Sequence, residues 1–305
     1  MQERNHSRTG NVVVIIPTLN RITSLINLLE LIRKSEFLPI CTIVVDASED
    51  FSDISADFID LRLQHVKSSI KSAAVQRNIG IQIALEKVSN FDFVSFLDDD
   101  IEISKNYFKV ILERFNEEPK FVGISGIAVN DESRARKQNW LTNLVGLTGR
   151  PGSLTKALVN ISPIGLRDFK EVDWLIGCSV WRREVIERIR FEVDFSGQSL
   201  FEDVIFSYRS RVMGKLGCDP KIEIKHLMSI QGRPGTQDHY TSWIINRFRL
   251  FSYSAGEFSR IVFWVLNCFL IAATLAKSPF SKEERLKCKG LCIGTYRTLK
   301  SRRNN

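Results

Sequence analysis

The chain has 305 residues, of which 44% are hydrophobic and 26% charged, a balance that belongs to a folded globular protein and excludes a disordered tail or a fibre. Gly and Pro are ordinary in number and no block of roughly 20 to 50 residues repeats, which excludes solenoids and propellers. The net charge of +8 is concentrated in Lys277 to Asn305, which holds nine Lys/Arg against two Glu and few aromatics, so a nucleic-acid partner is not expected.

Residues 1–10 are polar and read as a disordered N-terminus. The first apolar run, Val12 to Ile16, is only strand-length, so no signal peptide is expected and the chain is expected to be cytoplasmic. That run is β-branched and closed by Pro17, and Leu25, Leu28, Leu29 and Ile32 then fall at helical spacing. Ile43 to Val45 ends at Asp46, a shorter strand lies near Leu61 to Val66, and Ser72 to Leu85 predicts a helix with Ala74, Ile81, Ala84 and Leu85 inward. Phe93 to Leu97 is the next strand, stopping at Asp98-Asp99-Asp100, and Phe108, Ile111, Leu112 and Phe115 again mark a helix. Strands separated by helices predict an α/β fold with a mainly parallel sheet covered on both faces.

Between Asn130 and Lys170, Gly146, Gly149, Pro151, Gly152, Pro163 and Gly165 break every long element, predicting a flap. Trp174-Leu175-Ile176 follows, then helical patterns from Arg182 to Ile189 and from Phe201-Glu202-Asp203-Val204 onward. Ile222 and Ile224 alternate as a strand before His226. Ile261 to Ala276 is a sixteen-residue apolar segment bracketed by Arg260 and Lys277. As a helix it reaches roughly 24 Å, short of a hydrocarbon core of about 30 Å. Together with the basic tail this favours peripheral or monotopic attachment to an anionic membrane at its cytoplasmic face; a buried C-terminal helix and a true span remain alternatives. The six cysteines show no CxxC pairing and read as reduced thiols.

In open α/β sheets ligands bind beyond the carboxyl ends of the strands, here Pro17 to Arg21, Asp46 to Ser48 and Asp98 to Asp100. None carries a glycine-rich phosphate fingerprint. Three aspartates at a strand end offer hard oxygen ligands for Mn²⁺ or Mg²⁺, and also fit a solvated turn. Glu202 and Asp203 fit a helix first turn through the helix dipole, or supply a general base.

The ordered pieces Val13-Val14-Ile15-Ile16-Pro17-Thr18-Leu19-Asn20-Arg21, Thr42-Ile43-Val44-Val45-Asp46, Ala74-Val75-Gln76-Arg77-Asn78-Ile79-Gly80, Phe96-Leu97-Asp98-Asp99-Asp100 and Phe201-Glu202-Asp203 followed by Arg209 resemble family 2 of the GT-A glycosyltransferases over roughly residues 11 to 230. The resemblance implies a GT-A sheet in residues 11–240, with a nucleotide-sugar half (11–125) and an acceptor half (126–240), and the apolar segment with the basic tail adds a helical membrane-proximal extension (241–305). It implies inverting transfer from a UDP-, TDP- or GDP-sugar to a saccharide or lipid-linked acceptor. Pro17, Thr18, Asn20, Arg21, Asp46, Arg77, Asp98 and Asp99 would contact the donor, and Asp98, Asp100 and His226 would hold Mn²⁺ or Mg²⁺. Asp203, with Glu202, would be catalytic, Asp203 as the base. The family's usual Asp-Asp-Gly-Ser is here the less acidic Asp46-Ala47-Ser48. The Gln-x-x-Arg-Trp motif of processive synthases is absent after Asp203, which favours transfer of one sugar per encounter. A sugar nucleotidyltransferase, which lacks here its glycine-rich basic loop, and a non-catalytic membrane adaptor on the same fold are the competing expectations.

Overall fold

The structure, a computed structural model, describes residues 10–129, 142, 145–193, 200–227 and 235–301. The expected disordered residues 1–9, much of the expected flap and the last four residues lie outside them.

β1 (Val12–Thr18), α1 (Ile22–Arg33), β2 (Cys41–Asp46), β3 (Leu63–Lys67), α2 (Ala73–Lys87), β4 (Phe93–Phe96), β5 (Ile101–Ile103), α3 (Tyr107–Glu117) and β6 (Phe121–Ala128) form the first part of an α/β fold. After the irregular middle come β7 (Lys170–Val172), β8 (Ser179–Arg182), α4 (Arg183–Arg188), α5 (Glu202–Ser210) and β9 (Lys215–His226), then the helices α6 (Thr236–Arg249), α7 (Arg260–Lys277) and α8 (Lys282–Ser301). The strand order is β3-β2-β1-β4-β8-β6-β9-β5, with β7 on β9. The four strands β3-β2-β1-β4 are parallel, as expected; beyond them β8, β5 and β7 run antiparallel to their neighbours and only β6 with β9 is parallel. The sheet is thus mixed, because short strands returning from the middle segment pair without helical crossovers.

Periodicity explains the layers. Every β1 residue is buried, its side chains alternating between two cores: Val13 and Ile15 lie with α2, Val12, Val14 and Ile16 with α1 and α3. The α1 stripe Leu25, Leu28, Leu29 and Ile32 is buried as its spacing requires. Ser72 caps α2, its side chain accepting from the Val75 amide. Gly80 lets α2 close onto β1, since a Cβ there would stand 2.4 Å from Ile15 Cγ2.

Two expectations change. The described part of the expected flap, residues 145–169, is irregular but anchored: Leu154 bridges to Asn160, and Val145, Ala157 and Val159 pack with Leu266 of α7. The 240/241 limit falls inside α6 and the 125/126 limit inside β6. The C-terminal helices share the main core, where Ile244, Phe263 and Leu291 belong to one cluster with Val13 and Ile15. α8 lies close on α6 because Gly290 and Gly294 face Gln237 and Thr241 carbonyls at distances no side chain tolerates.

Candidate active site

The carboxyl ends of β1, β2 and β4 place the expected residues at one edge. Thr18 closes β1, and its Oγ1 donates to Asp99 Oδ2 at 2.6 Å. Asn20, in the left-handed region at φ 54°, donates its amide to Ser48 Oγ at 2.6 Å. Gln76 donates to the Thr18 and Val45 carbonyls at 2.7 and 2.6 Å, holding the β1 and β2 ends together. Pro17 is buried inside β1, paired with Val45.

Asp46 is set by two neighbours. Its Oδ1 accepts the Ser48 amide at 2.6 Å, and its Oδ2 lies 3.2 Å from His65 Nε2. His65 Nδ1 accepts from the Ile54 amide, which leaves the proton on Nε2, aimed at Asp46. Burial works to raise the Asp46 carboxyl, but the His65 and Ser48 hydrogen bonds outweigh it and hold it below its ordinary value. His65 escaped the sequence reading, although it falls in phase with buried Leu63 on β3, where a polar side chain needs a reason.

The three aspartates have three surroundings. Asp99, expected to contact the donor, is instead fully buried, gripped by Thr18 and by Arg21 Nη2 at 2.9 Å. Burial pushes its carboxyl up to about 7 against the pull of Arg21 and Thr18. Asp99 is a bracket beneath the site. Asp100 meets Arg21 Nη1 at 2.9 Å. Asp98 meets Arg77 Nη2 at 2.6 Å; burial works to raise its carboxyl, yet nearby His226 and Arg77 hold it well below the usual range.

Arg77 joins distant parts of the chain. Its guanidinium, 3% exposed, bonds Asp98 on one side and Glu202 on the other. It also lies 5.4 Å from the Phe191 ring, while neighbouring Asn78 pins the Phe191 backbone through bonds of 2.8 and 2.9 Å. Glu202, expected to be catalytic, is therefore buried and occupied in holding Arg77. Asp203, half-buried, lines a cleft with Ile176, Gly177, Phe191 and Phe206. Phe201, just before the acidic pair, has φ 76°, an outlier for an aromatic side chain and a sign of strain beside the site. Its predecessor is tied from the C-terminal unit by Asn246 Nδ2, which donates to the Leu200 carbonyl at 2.8 Å. Nothing in the sequence motifs marked Asn246.

Pairing of Ile101 with His226 brings that imidazole over the triplet, 3.8 Å from Asp98 Oδ2 and 3.7 Å from Asp100 Oδ1. Among the described residues no three His, Cys, Asp or Glu side chains already form a metal cage. Asp98 and Asp100 are nonetheless hard carboxylate donors converging on one imidazole, a set whose chemistry suits Mn²⁺ or Mg²⁺, and each now has one oxygen on an arginine.

The described fold resembles that of solved structures. The mannosyltransferase PcManGT from Pyrobaculum calidifontis, in complex with GDP-Man and Mn²⁺, aligns with a TM-score of 0.56 at 14% identity, over 95% of this chain and 87% of that one. Residues 1–349 of S. aureus TarS in complex with UDP-GlcNAc align with a TM-score of 0.51 at 16% identity, over 89% and 74%. At such identities the likeness is one of fold. Among curated proteins there is no significant sequence match. The model of the family described as glycosyl transferase family 2 matches residues 13–190. That stretch exceeds half of the chain and takes in β1 from Val13 on, Asp46, Arg77 and the aspartate triplet, and on this ground the chain belongs to glycosyl transferase family 2.

Proposed function

We propose that this family 2 glycosyltransferase moves one sugar at a time, with inversion, from a nucleoside-diphosphate sugar to a hydroxyl of a saccharide acceptor, as in a lipid-linked or cell-surface polysaccharide precursor. The observation that carries the reading is the Arg77 bridge, which joins the Asp98 carboxylate to the Glu202-Asp203 turn at the edge where the parallel strands end.

Asp46, ionised and acceptor-only, fits a base that presents a ring N–H, as uracil, thymine and guanine do and cytosine does not. Asp98 and Asp100 with His226 would hold a divalent cation, which would supply charge neutralisation for the leaving diphosphate. Arg21 and Asp99 keep Asp100 in place. Asp203 takes the proton from the acceptor hydroxyl, whose oxygen attacks the anomeric carbon from the face opposite the diphosphate. Phe191 and Phe206 line the same cleft as that carboxylate.

Calorimetry with UDP, TDP, GDP and CDP, with and without Mn²⁺, on wild type and Asp100→Ala tests the reading. One nucleotide should bind in a Mn²⁺-dependent way, and the variant should lose it. No binding by demonstrably folded protein overturns the reading in favour of a non-catalytic adaptor; pyrophosphate release from a nucleoside triphosphate and a sugar phosphate overturns it in favour of a nucleotidyltransferase.

A further inference from the structure

α7 has two apolar faces and, among the described residues, only one is covered. Phe263, Leu266 and Asn267 are buried against the domain, with Leu270 and Thr274 half-buried behind them. On the other side Ile261, Val265, Cys268, Ala272 and Leu275 follow at i, i+4, i+7, i+11 and i+14, and all are exposed. Ile261 is 76%, Val265 51% and Leu275 59% accessible, and Phe280 just past the helix is 90% accessible. A helix apolar on every side is normally enclosed, yet only 22% of this one is buried among the described residues.

The charges around the stripe say what covers it. Arg260 and Lys277 stand at its two ends. At the far end Arg285 of α8 donates to the Ser278 carbonyl at 3.2 Å, and Lys282, Lys289, Arg297 and Lys300 are exposed along α8. Nine Lys/Arg against two Glu from Lys277 onward would repel the same region of a second copy, whereas an acidic lipid surface satisfies both the apolar stripe and the cations. Lengthwise docking through Phe263 and Leu266 keeps the helix along the domain, the posture of an interfacial helix with its long cations reaching the headgroups.

We propose that the Ile261-Val265-Cys268-Ala272-Leu275 face of α7 lies in the interface of an anionic phospholipid bilayer, with the cations of α8 on its headgroups. The docking surface stands independently of the transfer reaction; it rests on that reading only for its consequence, that the acceptor is met at the membrane surface.

The test is co-sedimentation of the full chain with vesicles of phosphatidylcholine alone and of phosphatidylcholine with phosphatidylglycerol, at low and raised salt, for wild type, Ile261→Glu/Leu275→Glu and Lys289→Glu/Arg297→Glu. Wild type should pellet with the anionic vesicles and be released by salt. Loss of the two cations should weaken binding at least roughly five-fold per cation, and the stripe variant should stay in the supernatant. All the altered side chains are exposed, and unchanged urea midpoints confirm that the variants fold. Wild type left in the supernatant with anionic vesicles overturns the proposal, as does a stripe variant that pellets like wild type. A dimer in sedimentation velocity that Ile261→Glu/Leu275→Glu dissolves, without vesicle binding, assigns the face to a second copy instead. Nucleotide binding on the same preparations reports the transfer reading separately.

Discussion

Replacing Arg77 by Met removes a fully buried cation while keeping a side chain of similar length. Arg77 faces Asp98 at 2.6 Å and Glu202 on its other nitrogen, and Glu202 is itself only 6% exposed. With charge centres some 4 Å apart, each pair is worth about 4 kcal/mol of gross attraction at an effective dielectric near 20, and the cost of desolvating the guanidinium offsets much of it. Removing one partner of a buried network leaves the others uncompensated, so the expected loss is about 3–5 kcal/mol of stability. Asp98 is 29% exposed at its side chain, where water can relieve it, whereas Glu202 is only 8% exposed there, so most of the loss should fall on Glu202. Arg77→Met/Glu202→Leu should therefore be more stable than the two single effects predict by about 2–3 kcal/mol. Urea unfolding of the four proteins at neutral pH closes the cycle. A loss below about 1 kcal/mol for Arg77→Met, with additive effects in the double variant, refutes the charge bridge.

Asp203→Asn should lower turnover by about 10²- to 10⁴-fold while leaving nucleotide binding by calorimetry unchanged; normal turnover removes Asp203 as the base. Gly80→Ala places a methyl against Ile15 Cγ2, and urea unfolding should show a loss of about 1–3 kcal/mol. Asn246→Ala frees the Leu200 carbonyl from its bond and should cost about 1–3 kcal/mol, with a fall in turnover larger than any change in donor affinity, read by steady-state kinetics beside calorimetry. Because the folded state holds Asp46 below its ordinary value of 3.8, its ionised form adds stability that is fully present above that value and is lost as pH falls through the lower folded value. The gap in urea midpoint between wild type and Asp46→Asn should stay level at neutral and mildly acidic pH and close on further acidification.

What the sequence revealed follows the reach of its periodicities. The Leu25-Leu28-Leu29-Ile32 stripe and the β-branched run of β1 are local patterns, and both appear in place. The strand-end positions of Asp46 and Asp98 follow from the same arithmetic, since each strand announces its own end. Arg77 was named as a donor contact, and its protein partners lie 21 and 125 residues away, a distance that no local pattern carries. A trace was there: Arg77 falls in phase with Ile81 and Ala84 on the inner stripe of α2, where a cation must find carboxylates. The surroundings of Asp99 were hidden for a related reason. Three adjacent identical side chains look alike in sequence, while backbone geometry sends one down to Thr18 and the others up toward His226. The antiparallel strands of the second half, being three or four residues long, are too short to show alternation.

The C-terminal helices are packed into the core of the fold rather than appended to it. Arg247 of α6 is fully buried, donates to the Ala157 and Leu158 carbonyls and stacks 3.9 Å from the Trp243 ring centroid and 4.8 Å from that of Phe263. One side chain thus fastens the irregular middle segment to both α6 and α7. The next residue back, Asn246, holds the turn that carries Phe201 in its strained conformation, and strain of roughly 1–3 kcal/mol persists only where its surroundings over-determine it. The surroundings here are the Asn246 bond and the burial of Phe201 in the core shared with Ile244, Phe263 and Leu291. The position of Asp203 therefore depends on contacts made by α6, and α6 is packed against the helix whose outer face is apolar and bare. The Asp203 turn and the exposed face of α7 thus belong to one packed unit.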